Sequence, residues 1–332
     1  MNIGPRNNSD IYQKSKTRNI GSLGLFLVIL VFSVLFSILS PVFLTVTNIM
    51  NLLIQSSILA VLALGTTFVI LTKGIDLSVG GVMAVSSAVG LGMIVNEGAP
   101  VYVGVLTSLL IGLLFGLLNG VMVTRFAIPP LIVSLASMAI ARGIIQIYTN
   151  GANISPVPDS IKYLASGQLF DFPVLLLIVG MLAVIAHLTL CRTVYGRAVY
   201  ASGGSELAAR LAGIRTKRVI TGTYVISGVL AAIAGILLAA RLESAGPNAG
   251  MGIELTVIAA VVIGGTSLFG GQGNIVGTLL GVLLISLISN AVNLLDVPPA
   301  WDQLVKGIVI MVAALLDVYR RKYYKTGYAI IK

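Results

Sequence analysis

The chain has 332 residues, of which 57% are hydrophobic and only 10% are charged, a composition far more apolar than that of a water-soluble domain. The net charge is +10, but the basic residues lie in short loops and near the chain ends and not on one aromatic-lined face, which argues against nucleic-acid binding. A single cysteine, Cys191, excludes an internal disulfide, and with a single histidine, His187, the chain offers no metal cluster.

The first apolar segment covers residues 20–40 and follows a basic stretch that contains Lys14 and Arg18. It is longer than the apolar region of a secretory signal, and no small-x-small cleavage site follows before Ser40. We therefore expect an uncleaved first span with a cytoplasmic N-terminal tail over residues 1–19.

Further apolar segments, separated by Gly, Pro and charged residues, have about the length that crosses a hydrocarbon layer. With the first, they cover residues 20–40, 52–72, 78–95, 101–124, 127–148, 172–190, 219–240, 255–268, 275–295 and 303–318. The sequence thus predicts an all-α polytopic membrane protein with about ten transmembrane segments in one domain over residues 20–318. The third and eighth segments are short or Gly-rich and could be re-entrant or broken helices.

The loop charges orient these segments in the membrane. The connection over residues 191–218 carries six basic residues against Glu206 alone, and a tail over residues 319–332 carries five. Loops on the opposite side are mainly acidic. Since basic loops stay in the cytoplasm, we expect a multi-pass protein of the bacterial inner membrane with both termini and the connection inside.

Three short motifs of the first half recur in the same order in the second half, with chemically similar replacements. The pairs are residues 74–79 with 252–257, 117–121 with 288–292, and 128–130 with 297–299. They align segments 2–5 with segments 7–10, an offset of five segments. Because an odd number of crossings separates them, the two copies have opposite orientations in the membrane. The sequence therefore predicts an inverted internal repeat, which suits transport around a central site.

Charged and polar residues near the apolar segments are candidates for a translocation path, because charge close to hydrocarbon is costly and often functional. Asp76 and Ser78 of the first copy match Glu254 and Thr256 of the second, and Arg142 lies near the outer end of segment 5. Two alternatives remain open. The two acidic residues could cap the helices that follow them, and Arg142 could extend to the membrane surface.

The basic connection contains a predicted short helix, with Ser205 as N-cap, Glu206 in the first turn and Gly213 after the end. Leu207 and Leu211 share one face of it. Because so short a helix is marginal by itself, we expect a docking partner to cover it, with the membrane surface as the alternative. The candidate docking residues are Ser205, Glu206, Leu207, Ala208, Ala209, Arg210, Leu211 and Gly213.

The glycine-rich run over residues 262–273 lacks the Gly-Lys-Ser/Thr ending of a phosphate-binding loop, and we expect a close-packed bend there. Zinc-protease and nucleophile-elbow motifs are missing from the sequence as well. The sequence therefore predicts no catalytic residue and no cofactor-binding or metal-binding residue.

Three stretches resemble the permeases of ribose-type carbohydrate ATP-binding-cassette (ABC) importers: residues 74–80, 195–214 and 262–273. The resemblance extends from about Thr47 to about Arg320, with departures at Lys73 and at the Ser205-Glu206 pair. It implies that residues 205–212 form a coupling helix on an ABC ATPase subunit, which binds ATP and Mg on a separate chain. It also implies a second permease copy or paralogue and a periplasmic sugar-binding protein.

We therefore expect a permease subunit, not an enzyme, that moves a monosaccharide or related small polyol by alternating access driven by partner ATPases. The alternative is an ion-coupled secondary transporter, which would need a titratable cluster near mid-membrane. A membrane-embedded enzyme would need a nucleophile, a metal or an acid–base pair facing a cavity. The sequence offers no obvious example of either.

Overall fold

The computed structural model describes residues 8–295, 298, 300–308, 311–312 and 315. Its regular elements are α1 (Asn8–Leu39), α2 (Val46–Leu71), α3 (Val79–Val95), α4 (Val101–Thr124), α5 (Pro130–Thr149), α6 (Asp159–Ser166), β1 (Gln168–Leu169), β2 (Phe172–Pro173), α7 (Val174–Arg192), α8 (Val194–Gly204), α9 (Glu206–Leu211), α10 (Thr216–Leu242), α11 (Ile253–Ile263) and α12 (Ile275–Leu294). Residues 300–308 are also helical. Apart from the small β1–β2 hairpin, the regular elements of the described residues are helices, which confirms the predicted all-α class.

Six helices among the described residues are long and apolar enough to cross a membrane: α2, α4, α5, α7, α10 and α12. Three shorter apolar helices accompany them, namely α3, α11 and the Gly24–Leu39 part of α1. Part of the tenth predicted segment, and the whole tail over residues 319–332, lie outside the described residues. The count of about ten segments therefore stays a prediction.

Local sequence sets the start of several helices. Pro100, Pro129 and Pro173 directly precede α4, α5 and α7, where the missing N–H and the fixed φ of proline disturb no helical hydrogen bond. Asn274 caps α12, since its Oδ1 accepts a hydrogen bond of 2.7 Å from the Gly277 N–H. These signals can be seen in the sequence without any knowledge of the neighbouring helices.

The two longest buried helices, α2 and α10, lie against each other at the centre of the bundle. Helix α10 also packs on α3 and α4, and α2 packs on α11 and α12. Every residue of α2 from Ser56 to Leu71 is buried. Helix α2 of the first half thus contacts the two helices that follow α10, and α10 of the second half contacts the two helices that follow α2.

Glycines permit the closest of these helix contacts. A methyl group on Gly116 of α4 would lie 2.8 Å from the Cα of Val225 on α10, and one on Gly112 would lie 2.7 Å from the Cβ of Ala232. In the second half, Gly281 of α12 packs on the backbone of Ala260 in α11. Small residues at this spacing let backbones approach each other, which agrees with the tight-packing interpretation.

The charged loops lie at two opposite ends of the bundle. We call one end the basic face; it consists of Lys73 and the loops over residues 125–129, 193–215 and 264–274. The other end, the acidic face, consists of residues 96–100, 150–173 and 243–246. At the acidic face the Nζ of Lys162 lies 3.3 Å from Asp159 and 3.4 Å from Glu243, and hydrogen bonds to these two carboxylates raise the pKa of Lys162.

The helix over residues 300–308 is tied to α12 by a hydrogen bond to a carboxylate. Lys306 and Asp302 form an ion pair of 2.6 Å, and the Ser289 hydroxyl donates a hydrogen bond of 2.8 Å to the same carboxylate. Lys306 is therefore paired within its own helix.

Candidate functional site

Two short helices begin inside the bundle and not at its ends. After α2 reaches the basic face, the chain turns back inward, and the Asp76 carboxyl accepts a hydrogen bond from Ser227 of α10. Ser227 lies about 11 residues after the start of α10, and so about 16 Å along that helix. From the acidic face, residues 247–252 also turn inward, and Gly250 packs on Met83. Helices α3 and α11 thus start at depth, from opposite sides.

Asp76 is 1% exposed, and both of its carboxyl oxygens accept hydrogen bonds. Its Oδ1 accepts from the Ser78 N–H at 3.0 Å and from the Ser78 hydroxyl at 2.6 Å. Its Oδ2 accepts from the Ser227 hydroxyl at 2.8 Å. The carboxyl group therefore joins the turn before α3 to the middle of α10.

The network continues to α4. The Asn119 Nδ2 donates a hydrogen bond of 2.9 Å to the Ser78 hydroxyl, and the Tyr224 hydroxyl donates one of 3.4 Å to the Ile75 carbonyl. Asn119, Tyr224 and Ser227 were not among the predicted site residues. A signal existed for Asn119, a polar residue inside the repeated motif over residues 117–121, but nothing in the sequence singles out Ser227.

The matching residues of the second copy do not form a matching network. Glu254 lies in the first turn of α11 and is only partly buried, and its Oε2 is a buried atom without a hydrogen-bond partner among the described residues. A methyl group on Gly80 of α3 would lie 2.6 Å from that oxygen. Thr256 is also partly buried. The starts of α3 and α11 are thus neighbours.

Arg142 of α5 holds the inward-turning segment in place. Its Nη1 donates hydrogen bonds to the carbonyls of Pro247 at 2.8 Å and Ala249 at 2.9 Å, and it attracts the Glu254 carboxylate electrostatically. The structure therefore separates the five predicted path residues into an enclosed pair, Asp76 and Ser78, and a more accessible group, Arg142, Glu254 and Thr256. Their role in a path stays a prediction.

Helix α9 has the features that its sequence predicts. The Ser205 hydroxyl accepts a hydrogen bond of 3.3 Å from the Ala208 N–H, and Gly213 has a φ of +84°, which glycine adopts readily. Leu207 and Leu211 are 70% and 82% exposed, whereas Ala209 is buried against the protein. The helix therefore presents both leucines outward from the basic face.

One further contact anchors α9 to the membrane domain. The Thr216 hydroxyl, at the start of α10, donates a hydrogen bond of 3.2 Å to Glu206 Oε1. In the part of the chain that the structure describes, no three His, Cys, Asp or Glu side chains gather as metal ligands would.

An all-α bundle with several apolar spans, two short helices that start inside it and a short helix with two exposed leucines on its basic face is typical of a membrane transport protein. The comparisons with known proteins give the family. The chain belongs to the family described as branched-chain amino acid transport system permease components, whose model matches residues 48–314. It is a permease subunit.

Characterised relatives are similar over nearly the whole chain. The ribose import permease protein of Bacillus subtilis (strain 168) is 45% identical over 297 residues, 89% of this chain and 92% of that protein. The ribose import permease protein of Escherichia coli (strain K12) is 40% identical, covering 88% and 92%. An autoinducer 2 import system permease protein of Escherichia coli O9:H4 is 35% identical, covering 88% and 85%.

No solved structure matches the chain significantly. The resemblance to ribose-type permeases, which rested on three motifs, is confirmed by these relatives.

Proposed function

We propose that this chain is the permease subunit of an ABC importer that carries ribose or a closely related monosaccharide or polyol across the inner membrane. The observation that carries the proposal is the 45% identity to a ribose import permease over 89% of the chain. The family description names branched-chain amino acids, but several relatives at 40–45% identity are ribose permeases.

The ATPase is expected on a separate chain, with ATP and Mg bound there, and α9 is the element it would hold. Leu207 and Leu211 are exposed on the basic face, and α9 is not one of the helices long enough to span a membrane. Large apolar side chains in such a position favour a protein partner. A groove in the ATPase that accepts both leucines would connect hydrolysis to the membrane domain.

The packing of the helices supports the inverted repeat. Helix α2 contacts α11 and α12, while α10 contacts α3 and α4, which is the reciprocal pattern that a twofold relation between the halves requires. Short helices that start inside the membrane are a known feature of transporters built from such repeats. We propose that the region where α3 and α11 begin adjoins the path and that the halves move for alternating access.

The more accessible polar group indicates where the path lies. Glu254 and Arg142 are partly buried, and the neighbouring Met251 and Leu255 are 71% and 59% exposed. Two charged residues beside an exposed surface at this depth are unfavourable against lipid tails. We propose that a second copy or a paralogue covers this surface, and that the path runs between the two permeases.

The orientation follows from the charges at the two ends. The basic face would lie in the cytoplasm with both chain termini, as the positive-inside rule requires. The acidic face would then lie in the periplasm, where a sugar-binding protein delivers the substrate. The ion-coupled alternative receives no support from the relatives.

Transport in reconstituted vesicles tests the proposal. The permease is inserted with a partner ATPase and a sugar-binding protein, and uptake of labelled ribose is measured with ATP, without ATP and with unlabelled xylose, galactose or inositol as competitors. We expect uptake that requires ATP and all protein components. Uptake driven by a proton or sodium gradient in the absence of the ATPase would refute the proposal.

A further inference from the structure

Three backbone segments meet in one close contact at the basic face. They are the end of α2 at Leu71, the end of α8 at Gly203, and the α11–α12 loop at Gly271. The Gly271 N–H donates a hydrogen bond of 2.9 Å to the Leu71 carbonyl. A methyl group on Gly203 would overlap the Leu71 carbonyl oxygen and would lie 2.6 Å from the Gly271 nitrogen. We call this contact the glycine junction.

The loop side of the junction has a backbone conformation suited to this approach. Gly270 and Gly271 have φ values of +75° and +73°, which side-chain-bearing residues adopt rarely. A methyl group on Gly271 would lie 2.8 Å from both the nitrogen and the Cα of Gly204. The glycine-rich sequence, expected to form a close-packed bend, is therefore packed against the segment that leads into α9.

Two side chains reinforce the same contact. The Tyr200 hydroxyl, on α8, donates a hydrogen bond of 2.9 Å to the Gly273 carbonyl. The Lys73 Nζ, just after α2, donates one of 3.4 Å to the Gly204 carbonyl. Helix α8 is thereby connected both to the α11–α12 loop and to the segment after α2.

The position of the junction in the chain gives it mechanical importance. Gly203 and Gly204 directly precede Ser205, the N-cap of α9. From the end of α2 the chain continues into the turn that contains Asp76, and from the α11–α12 loop it continues into α12. A displacement of α9 relative to the bundle must either move these elements or break the junction.

We infer that the glycine junction transmits the movement of α9 to α2 and to the α11–α12 segment, with Tyr200 and Lys73 as positioning residues. This inference rests on the proposed function of α9 as the ATPase-docking helix. The proposed role and a purely structural role have different consequences. If the junction transmits movement, its loss lowers the amount of sugar transported for each ATP hydrolysed. A structural defect lowers only the amount of assembled complex.

Adjacent glycines provide a matched pair of variants. A methyl group on Gly203 collides with two backbones, whereas one on Gly204 meets no atom within 4 Å. Gly203→Ala and Gly204→Ala are each assembled with the ATPase and the binding protein in vesicles, and ATP hydrolysis and sugar uptake are measured on the same preparation. We expect a several-fold fall in uptake per ATP for Gly203→Ala and the wild-type ratio for Gly204→Ala.

Milder variants cover the case in which Gly203→Ala does not fold. Tyr200→Phe removes the hydroxyl that reaches Gly273, and Lys73→Met removes the ammonium that reaches Gly204. Each is expected to lower uptake per ATP, and the double variant more than either single one. Wild-type ratios in every folded variant, even with reduced assembly, would overturn the inference. A wild-type complex without ATP-dependent uptake would instead refute the proposed function on which the inference rests.

Discussion

Asp76 lies in the protein interior and connects parts of the chain that are far apart in sequence. The hydroxyl of Ser227, 151 residues away, and two donors of Ser78 all point to its carboxyl group. Such a group is favourable when its donors are present, but removing it leaves several buried donors without an acceptor. Its side chain therefore contributes to holding α3 against α10.

Asp76→Ala is expected to lower the free energy of unfolding by about 3 kcal/mol, since an unpaired buried polar group costs about 1–3 kcal/mol. Asp76→Asn keeps one oxygen as an acceptor and should cost less. Asp159→Asn, whose side chain is 98% exposed, is the control and should stay within about 0.5 kcal/mol. Thermal unfolding in detergent measures all three. Equal melting temperatures for Asp76→Ala and the control would contradict the structural importance of the network.

Helix α9 is the element for which local sequence and structure agree most closely. Its N-cap, its glycine C-terminus and its exposed leucines are set by residues within about ten positions of one another, so neighbouring helices have little influence on them. Its proposed use by the ATPase depends instead on the whole exposed face.

The double variant Leu207→Ser, Leu211→Ser is expected to weaken binding of the ATPase more than 100-fold. Burying one leucine contributes about 1.5–3 kcal/mol, and about 1.4 kcal/mol corresponds to a factor of ten in affinity. Binding of the purified ATPase to the permease in detergent is the measurement. Phe170→Ser, which removes a 94% exposed side chain from the acidic face, is the control. Unchanged affinity in the double variant would exclude α9 as the docking element.

Helices α4 and α10 pack closely because glycines remove side chains from the contact. Gly112→Ala is expected to destabilise the protein by about 1–3 kcal/mol, as overpacking does in other well-packed cores. Gly180→Ala on α7 is the matched control, because a methyl group there meets no atom within 4 Å. The melting temperature in detergent should fall only for Gly112→Ala. A fall of the same size in both variants would indicate a general effect of replacing glycine.

At the scale of the whole molecule, the charged loops define two ends and hence an orientation. In a Cys191→Ser background, Leu207→Cys and Phe170→Cys place single thiols on the basic and acidic faces. A maleimide that does not cross membranes should label Phe170→Cys in spheroplasts and Leu207→Cys only after permeabilisation. Labelling in the reverse order would overturn the proposed orientation.

The halves of the molecule are similar but not identical. Asn119 and Asn290 occupy matching motifs and are both buried, yet Asn119 bonds to Ser78 whereas Asn290 exchanges two amide hydrogen bonds with Asn48 of α2. Both carboxyl oxygens of Asp76 accept hydrogen bonds, whereas Glu254 keeps a buried oxygen without a partner among the described residues. The motifs thus identify polar positions inside the bundle, but not the partners of each side chain.

Features that depend on a short stretch of chain or on the membrane can be predicted from the sequence. These are the apolar helices, the caps of α9, the segregation of charge between loops and the family. They follow from the order of residues alone because the hydrocarbon layer sets the length of a span and the energetic cost of a charge. The tertiary structure alone decided that Asp76 meets Ser227, that Arg142 holds the segment before α11, and that Gly203 touches Leu71 and Gly271. Such contacts depend on how distant helices cross and how closely their backbones approach, and no local pattern encodes that geometry.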